Sequence, residues 1–379
     1  MTAFSLNPEQ TAWCAELRAL AAERLRPLAE QGRPGHVNRP LVEELGELGL
    51  LVRLFEDGTG SGAGALDLCL MRESLAYACT EAETALALQG LGAHPVHAHG
   101  TPAQRERWLP PVRAGRAVAA FALSEPGAGS DAAALSLAAA PDGPAGWRLT
   151  GEKCWISNAP EADFYTVFAR TSPGAGSRGV TAFLVPADRT GLTGAPLDML
   201  SPHPIGTLAF DGVQVGRKDV LGEVDRGFRV AMTTLNRFRP SVGAFAVGMA
   251  AAALDASLAH TAARDAFGGK LKDLQSVAHQ IAEMATRTEA ARLMVYAAAA
   301  AYDREGPHGP GIARRAAMAK LLATESAQYV VDAAVQLHGA RALHRGHLLE
   351  HLYREVRAPR VYEGASEVQR GIIAKELYG

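Results

Sequence analysis

Cysteine is scarce in this chain. The four residues of that type among 379, Cys14, Cys69, Cys79 and Cys154, lie in apolar or strand-like surroundings without CxxC spacing. That excludes a disulfide scaffold and a cysteine-built zinc site, and leaves reduced core residues. Charge of one sign is also missing: 38 Lys and Arg stand against 40 Asp and Glu, for a net charge of -2. Without an extended basic surface for a phosphate backbone, no nucleic-acid partner is expected. Long hydrophobic runs are lacking too. Val242 to Leu254, with its alanines and glycines, reads as too short and too weakly hydrophobic to span a bilayer, so no membrane partner is expected. Residues 1 to 20 carry Glu9, Glu16 and Arg18, which a secretory signal would not, and the expected location is cytoplasmic. The histidines His94, His97 and His99, and again His344, His347 and His351, have ligand-like spacing. No cysteine or carboxylate cluster accompanies either set, and Pro95 and Gly100 place the first in a loop, so no metal is expected.

What is present is enough apolar residue for a sizeable core, in a chain long enough for two or three domains. The hydrophobic period changes twice. Asn7-Pro8-Glu9-Gln10 reads as a capping box with proline at the first helical position, followed by Trp13, Leu17, Leu20, Leu25 and Leu28 on one face. Further helix is predicted around Leu41 to Leu48 and Leu66 to Gln89, with breaks at Gly32 to Gly35 and Gly58 to Gly64. From about Phe121 the pattern turns to short β-branched and aromatic runs. Trp147 to Thr150 and Lys153 to Ser157 read as two strands around a Gly151-Glu152 turn, and Phe164 to Arg170, Val180 to Val185 and Leu208 to Val215 continue the series. After Gly222 the helical period returns. Leu274, Val277, Ile281, Met284, Thr288, Ala291, Val295, Ala298 and Tyr302 form one stripe on a helix of about 40 Å, for which Val242–Ala263 and Ile312–Leu337 supply partners. The expected class is therefore α+β and multidomain. A helical domain over residues 1–119 precedes a middle β domain over 120–223, of sandwich or barrel-like form, and a C-terminal four-helix bundle over 224–379 closes the chain.

Near the C-terminus, Val361-Tyr362-Glu363-Gly364-Ala365-Ser366-Glu367 puts a carboxylate on a glycine-containing turn just before a helical segment. Such a carboxylate can be fixed in direction and partly dehydrated, as a general base must be; an ordinary helix start has the same composition. Three upstream segments tip the balance. They are Phe121-Ala122-Leu123-Ser124-Glu125-Pro126-Gly127-Ala128-Gly129-Ser130-Asp131, Trp155-Ile156-Ser157-Asn158 and Arg264-Asp265-Ala266-Phe267-Gly268. With Tyr362-Glu363-Gly364 they resemble the acyl-CoA dehydrogenase family in order and spacing, and the resemblance covers essentially the whole chain.

The chemistry of each segment suits a flavin. Gly127 and Gly129 expose backbone N–H groups beside the short polar Ser124, Ser130 and Asp131, a loop able to bond a heterocycle edge and a pyrophosphate, although it lacks the dinucleotide fingerprint. Trp155 and Ser157, two apart on a strand, share one face and suit a flat aromatic cofactor. Arg264 offers the planar fork that suits a diphosphate. The resemblance implies FAD as cofactor, with Leu123 and Ser124 at the flavin pyrimidine edge, Trp155 flanking the isoalloxazine and Ser157 near its reactive nitrogen. It places Ser130 near the cofactor phosphates or the thioester ligand. It further implies that Arg264, Gln275, Gln336, Gly339 and Ala340 reach the FAD of a neighbouring subunit, making the protein an obligate homo-oligomer, a homotetramer arranged as a dimer of dimers. Ala365 and Glu367 fall at cofactor-binding positions, and Arg239 and Gly364 join Ser130 at substrate-binding ones.

On this resemblance the activity is α,β-dehydrogenation of an acyl-CoA substrate to the trans-2-enoyl thioester. Glu363 takes the α-proton, flavin N5 accepts hydride, and electrons pass to an electron-transferring flavoprotein. In one subgroup the base sits on a helix instead, but the matching Asn236-Arg237-Phe238-Arg239-Pro240 has no carboxylate, leaving Glu363 without a rival. Two departures stand out. Ala365 replaces the family's usual threonine, and Gly339-Ala340-Arg341-Ala342 replaces a Gly-Gly-x-Gly stretch. The alternatives are an acyl-CoA oxidase that keeps the base and uses oxygen, a flavin monooxygenase that would not need Glu363, and a DNA-binding alkylation-response-like relative, which calls for a basic extension.

Overall fold

Asn7 starts the first helix as its context predicts. Its Oδ1 accepts the Gln10 amide at 2.7 Å while Gln10 Oε1 accepts the Asn7 amide at 3.0 Å, a reciprocal capping box with Pro8 at the first helical position. The computed structural model of the chain describes residues 6–55, 64–144 and 146–379. Helices α1 (Pro8–Leu20), α2 (Arg26–Glu30), α3 (Arg39–Glu47), α4 (Ala65–Ala78), α5 (Thr80–His99) and α6 (Pro102–Arg113) come first, with a π-helical turn at Ala21–Leu25 joining α1 to α2. The expected break at Gly32–Gly35 separates α2 from α3; the one at Gly58–Gly64 lies, apart from Gly64, outside the described residues. Strands β1 (Ala119–Ala122), β2 (Ala138–Pro141), β3 (Gly146–Ser157), β4 (Phe164–Arg170), β5 (Val180–Pro186), β6 (Leu192–Pro196), β7 (Ile205–Gly216) and β8 (Val220–Leu221) follow. The chain then returns to helix with α7 (Gly227–Ala263), a ribbon of β9 (Asp265–Ala266) and β10 (Gly269–Lys270), and α8 (Gln275–Glu305), α9 (Ile312–His338), α10 (Leu348–Glu355) and α11 (Ser366–Tyr378). The order helical, β, helical is the expected one.

By contacts the chain forms two compact units that do not follow chain order. Met1–Arg26, Gly64–Glu83 and Asn236–Gly379 make one; Pro27–Ala63 and Thr84–Leu235 make the other. Among the described residues, the regular elements of the first are all helices except for the β9–β10 ribbon. Along α8 the predicted stripe is buried from Met284 through Thr288, Ala291, Val295 and Ala298, while Leu274, Val277 and Ile281 remain half-buried. Its partner α9 buries Ala319, Ala323, Ala327, Val330 and Ala334, small side chains that let the helix backbones approach closely. Phe245, Val247 and Met249 of α7 and Leu349 and Leu352 of α10 complete this core, each contributing roughly 1.5–3 kcal/mol by leaving water. One expectation needs correcting here. The apolar run Val242–Leu254 lies inside the 37-residue α7, which is long and apolar enough to cross a membrane, with 72% of its most apolar window buried inside the protein.

In the second unit the strands pair in the order β6-β7-β3-β2-β4-β5-β8, with β1 adding in parallel to β4. Leu149, Tyr165, Val167, Phe183, Phe210 and Val213 fill one core against the sheet. The expected hairpin at Gly151-Glu152 does not form. Residues 146–157 run as one strand, antiparallel to β7, and between the pairs Leu149–Val213 and Gly151–Phe210 the extra residue lies on β7, where Gly212 takes φ 63°. The irregularity is thus a bulge on the partner strand rather than a turn in β3, and β3 continues through Gly151, whose φ of 135° only glycine takes readily. The first histidine set is corrected likewise: His94, His97 and His99 sit in the last turns of α5, with Pro95 inside the helix.

Candidate active site

The loop after β1 is built around a buried carboxylate. Glu125 and Ala128 exchange backbone hydrogen bonds of 3.2 and 3.0 Å, which closes a tight turn over Pro126-Gly127. Glu125 itself accepts bonds from the Ser136 amide (2.6 Å) and hydroxyl (2.8 Å), the Leu137 amide (2.9 Å) and Lys153 Nζ (2.8 Å). Burial pushes its carboxyl up, yet the Lys153 ammonium and these donors outweigh it and hold the group below the usual carboxylate range. Lys153 Nζ also donates to Leu123 O at 2.9 Å, and the Cys154 amide to Ser124 O at 3.0 Å. Leu123 and Ser124 are thus strapped to β3, Leu123 buried and Ser124 half-buried, while Ser130 is exposed. A Cβ at Gly127 or Gly129 would meet nothing within 4 Å, so the outer side of the loop is open.

Strand β3 carries a second register shift between Lys153 and Ile156, where Trp155 takes φ 56°. The bulge turns the indole outward: Trp155 is 48% exposed beside the buried Ile156, and Ser157 is half-buried one position on. Asn158, at φ 64°, donates Nδ2–H to Ala119 O at 2.9 Å and fixes the end of the strand against β1. Among the described residues the non-glycine positions with positive φ are Trp155, Asn158, Asp225, Phe267 and Glu363. All but Asp225 fall in the motif segments, and strain of this kind collects at functional positions.

Glu363 belongs to the helical unit, on the turn between a 3-10 segment at Ala358–Arg360 and α11. It takes φ 50° and Gly364 takes φ 91°, two left-handed residues in succession. The Glu363 residue is half-buried, but its Oε2 is sealed from solvent and has no hydrogen-bond partner. Burial raises its carboxyl above the usual range, against the opposing pull of Arg72, Lys320 and Arg239. Arg72, 3% exposed on α4, bonds Glu83 through Nε and Ser241 Oγ through Nη1 at 2.7 Å. Arg239, buried on α7, reaches Glu363 O with Nε at 3.4 Å and Asn236 Oδ1 with Nη1 at 2.8 Å. A carboxylate in this setting is an acceptor for a proton brought to it by a ligand, with a raised pKa that suits a general base.

The remaining predicted residues are spread over the surface. Arg264, Gln275, Gln336, Gly339, Ala340 and Glu367 are exposed, and Ala365 is half-buried as the cap before α11. Phe267, on the β9–β10 turn, is 89% exposed. His260 stacks on His338 with ring centroids 4.1 Å apart, which joins the C-terminal ends of α7 and α9 close to Arg264 and Gly339. Among the described residues no group of three or more His, Cys, Asp or Glu is arranged to hold a metal ion.

Sequence reasoning missed Lys153, Glu125 as an anchor, Arg72 and Lys320. A signal was there for Lys320, a single charge in the apolar run Ala316 to Ala323, and for Arg72, which follows Leu68 to Met71. Charges so placed are buried and paired more often than solvated.

Comparison with known proteins matches each part of the chain. Family models of the acyl-CoA dehydrogenase N-terminal domain (residues 7–116), middle domain (120–213) and C-terminal domain (225–378) all fit. The short-chain specific acyl-CoA dehydrogenase of Bos taurus mitochondria is 36% identical over 95% of this chain and 88% of its own. Among solved structures, the butyryl-CoA dehydrogenase of Megasphaera elsdenii superposes with a TM-score of 0.91 at 31% identity, covering 99% of this chain and 100% of that one. PigA, solved with FAD and proline, superposes with a TM-score of 0.92 at 27% identity and 99% coverage of both chains.

Proposed function

Because the chain belongs to the acyl-CoA dehydrogenase family along nearly its whole length and is an FAD-dependent oxidoreductase, we propose that it desaturates an acyl-CoA between Cα and Cβ with Glu363 as the base. The observation that carries this reading is the buried, unpartnered Oε2 of Glu363 on a left-handed turn beside Arg72, Arg239 and Lys320. Bound FAD supplies the hydride acceptor. The residues of the β-containing unit fit a flavin: an open loop at Gly127 and Gly129, an indole turned outward at Trp155 and a hydroxyl at Ser157. Leu123 and Ser124 would orient the ring, Ser130 the phosphates or the thioester, and the Glu363 amide would donate to the thioester carbonyl. Glu363 would hold the α-proton it removes until product leaves. Arg239 and Gly364 would position the acyl group, and Ala365 and Glu367 would face the cofactor. We assign the segments 1–119, 120–223 and 224–379 as the three domains of such an enzyme.

The exposed Arg264, Gln275, Gln336, Gly339 and Ala340 support completion of the cofactor site by a second copy, in a homotetramer, and the half-buried start of the α8 stripe supports the same. An electron-transferring flavoprotein is the proposed acceptor and the cytoplasm the proposed location. The test is an acyl-CoA panel under anaerobic conditions: at least one member bleaches the flavin, and Glu363→Gln slows that bleaching by three orders of magnitude or more, about 4 kcal/mol of barrier. Bleaching by Glu363→Gln at the wild-type rate would make the base assignment wrong. Turnover in air without a flavoprotein acceptor would make the enzyme an oxidase.

A further inference from the structure

Three consecutive carbonyls, those of Tyr362, Glu363 and Gly364, turn toward donors rather than toward one another. Lys320 Nζ, on α9, donates to Tyr362 O at 3.0 Å and to Gly364 O at 2.7 Å. Gln369 Nε2, on α11, donates to Glu363 O at 3.2 Å and Gly364 O at 2.8 Å. Five residues along α9, Glu325 holds both flanks of the same segment, through Ser366 Oγ and through Arg360 at 2.9 Å. The turn has reason to need holding, because two residues in the left-handed region in succession would relax toward ordinary backbone if the carbonyls were released. Lys320 is 0% exposed, so its ammonium has been taken out of water to be there. A plain hydrophobic residue would have packed among the alanines of α9 more cheaply.

We propose that Lys320 is the positioning residue of the base: by clamping the carbonyls on either side of Glu363 it fixes the direction of the carboxylate, and by its charge it keeps that carboxylate ionisable at working pH. The inference rests on the reading of Glu363 as base. Its electrostatic part follows from what faces that carboxyl, namely Arg72 from α4, Arg239 from α7 and Lys320 from α9, each opposing the effect of burial. Lys320 in turn is pulled down to about 8, first by burial and then by Arg239, with Glu363, Glu325 and Glu367 opposing. Removing one of three cations leaves the carboxyl to burial and two opponents. A neighbouring charge moves a pKa by about 1–3 units, so the base should ionise about one unit higher.

The experiment compares Lys320→Met, Gln369→Leu and Glu363→Gln with wild type as FAD-loaded proteins, reading FAD content, thermal midpoint, KM, kcat and the acid limb of the rate against pH. In Lys320→Met, kcat should fall at least tenfold with FAD content and KM within twofold of wild type, and the acid limb should move up by about one pH unit. Gln369→Leu, which removes amide bonds to the same turn without removing charge, should lower kcat and leave the limb in place. A wild-type kcat and an unmoved limb in Lys320→Met overturn the proposal. So does a loss of kcat that merely tracks loss of FAD or of folded protein. If Lys320→Met yields no folded holoenzyme, Gln369→Leu decides: a wild-type kcat there overturns the clamp. An active Glu363→Gln would show that the premise about the base had failed, separately from any effect of Lys320.

Discussion

Lys153 Nζ lies 2.8 Å from Glu125 Oε1, and both side chains are buried. The pair joins the loop after β1 to the middle of β3, so that the residues assigned to the flavin edge and those assigned to its face move as one piece. Removing one partner of a buried pair costs more than removing both, because the survivor stays charged without its counter-ion.

Lys153→Met should therefore destabilise the protein by about 3–5 kcal/mol and lower its affinity for FAD. The double variant Lys153→Met/Glu125→Leu should lose less than the sum of the two single changes. Thermal denaturation of the four proteins, with flavin content measured on each, provides the cycle. Strict additivity would mean that the two side chains act independently.

The raised pKa of Glu363 fixes the sign of a pH effect on stability. Its folded value lies above its unfolded one, so the charged form is disfavoured by folding, first through burial. Wild type then loses stability as pH rises from the unfolded pKa through the folded one, and the loss is complete above both. Glu363→Gln escapes it. The variant should melt at the same temperature as wild type near pH 4 and higher, by about 1–3 °C, at pH 8, while losing activity. Differential scanning calorimetry at the two pH values checks this, and a variant that melts lower at pH 8 contradicts it.

The site was legible where a residue's role is local. The Glu363 turn could be read because glycine, hydroxyl and carboxylate adjoin in sequence, and β4 because Phe164 to Arg170 is an unbroken β-forming run buried almost throughout. The motif segments marked the strained residues Trp155, Asn158, Phe267 and Glu363 before any dihedral was known. Roles that depend on partners distant in sequence were hidden. Lys153 lay inside what read as a hairpin strand, and the continuity of β3 through Gly151 depends on pairing with β7, some sixty residues on, which takes up the register shift in a bulge of its own at Asp211-Gly212. The burial of Lys320 was signalled by the apolar run around it, but its task was not, because its acceptors are carbonyls, which every residue has. Nor does periodicity alone say that Gly64–Glu83 packs with Asn236–Gly379 rather than with its neighbours in sequence.

Glu73 is another buried carboxylate with a structural task. It accepts Arg292 Nε and the Tyr296 hydroxyl, each at 2.8 Å, with Arg18 at 3.8 Å, tying α4 to α8 and α1. Glu73→Ala should cost about 1–3 kcal/mol by leaving the buried Tyr296 hydroxyl without its acceptor, while Arg292 keeps Glu289 at 2.6 Å, with kcat per folded, flavin-loaded molecule unchanged. A drop in kcat without loss of stability would give Glu73 a part in the reaction.

Gly364 meets two demands that no other residue meets together. At φ 91° a side chain would be strained by about 1–2 kcal/mol. A Cβ there would also press on Gln369 Nε2, well inside van der Waals contact, and push it off the carbonyls of Glu363 and Gly364. Gly364→Ala leaves the carboxylate chemically intact and attacks only its placement. A misplacement of about 1 Å in a reacting group can cost on the order of 100-fold in rate. The expected result is a kcat lowered 10- to 100-fold, a thermal midpoint lower by only a few degrees, and the acid limb of the pH profile unmoved, since Arg72, Arg239 and Lys320 still face the group. That pattern separates placement from ionisation: Lys320→Met should disturb both and Gly364→Ala placement alone. A Gly364→Ala enzyme with full kcat would mean that the direction of Glu363 does not limit the reaction.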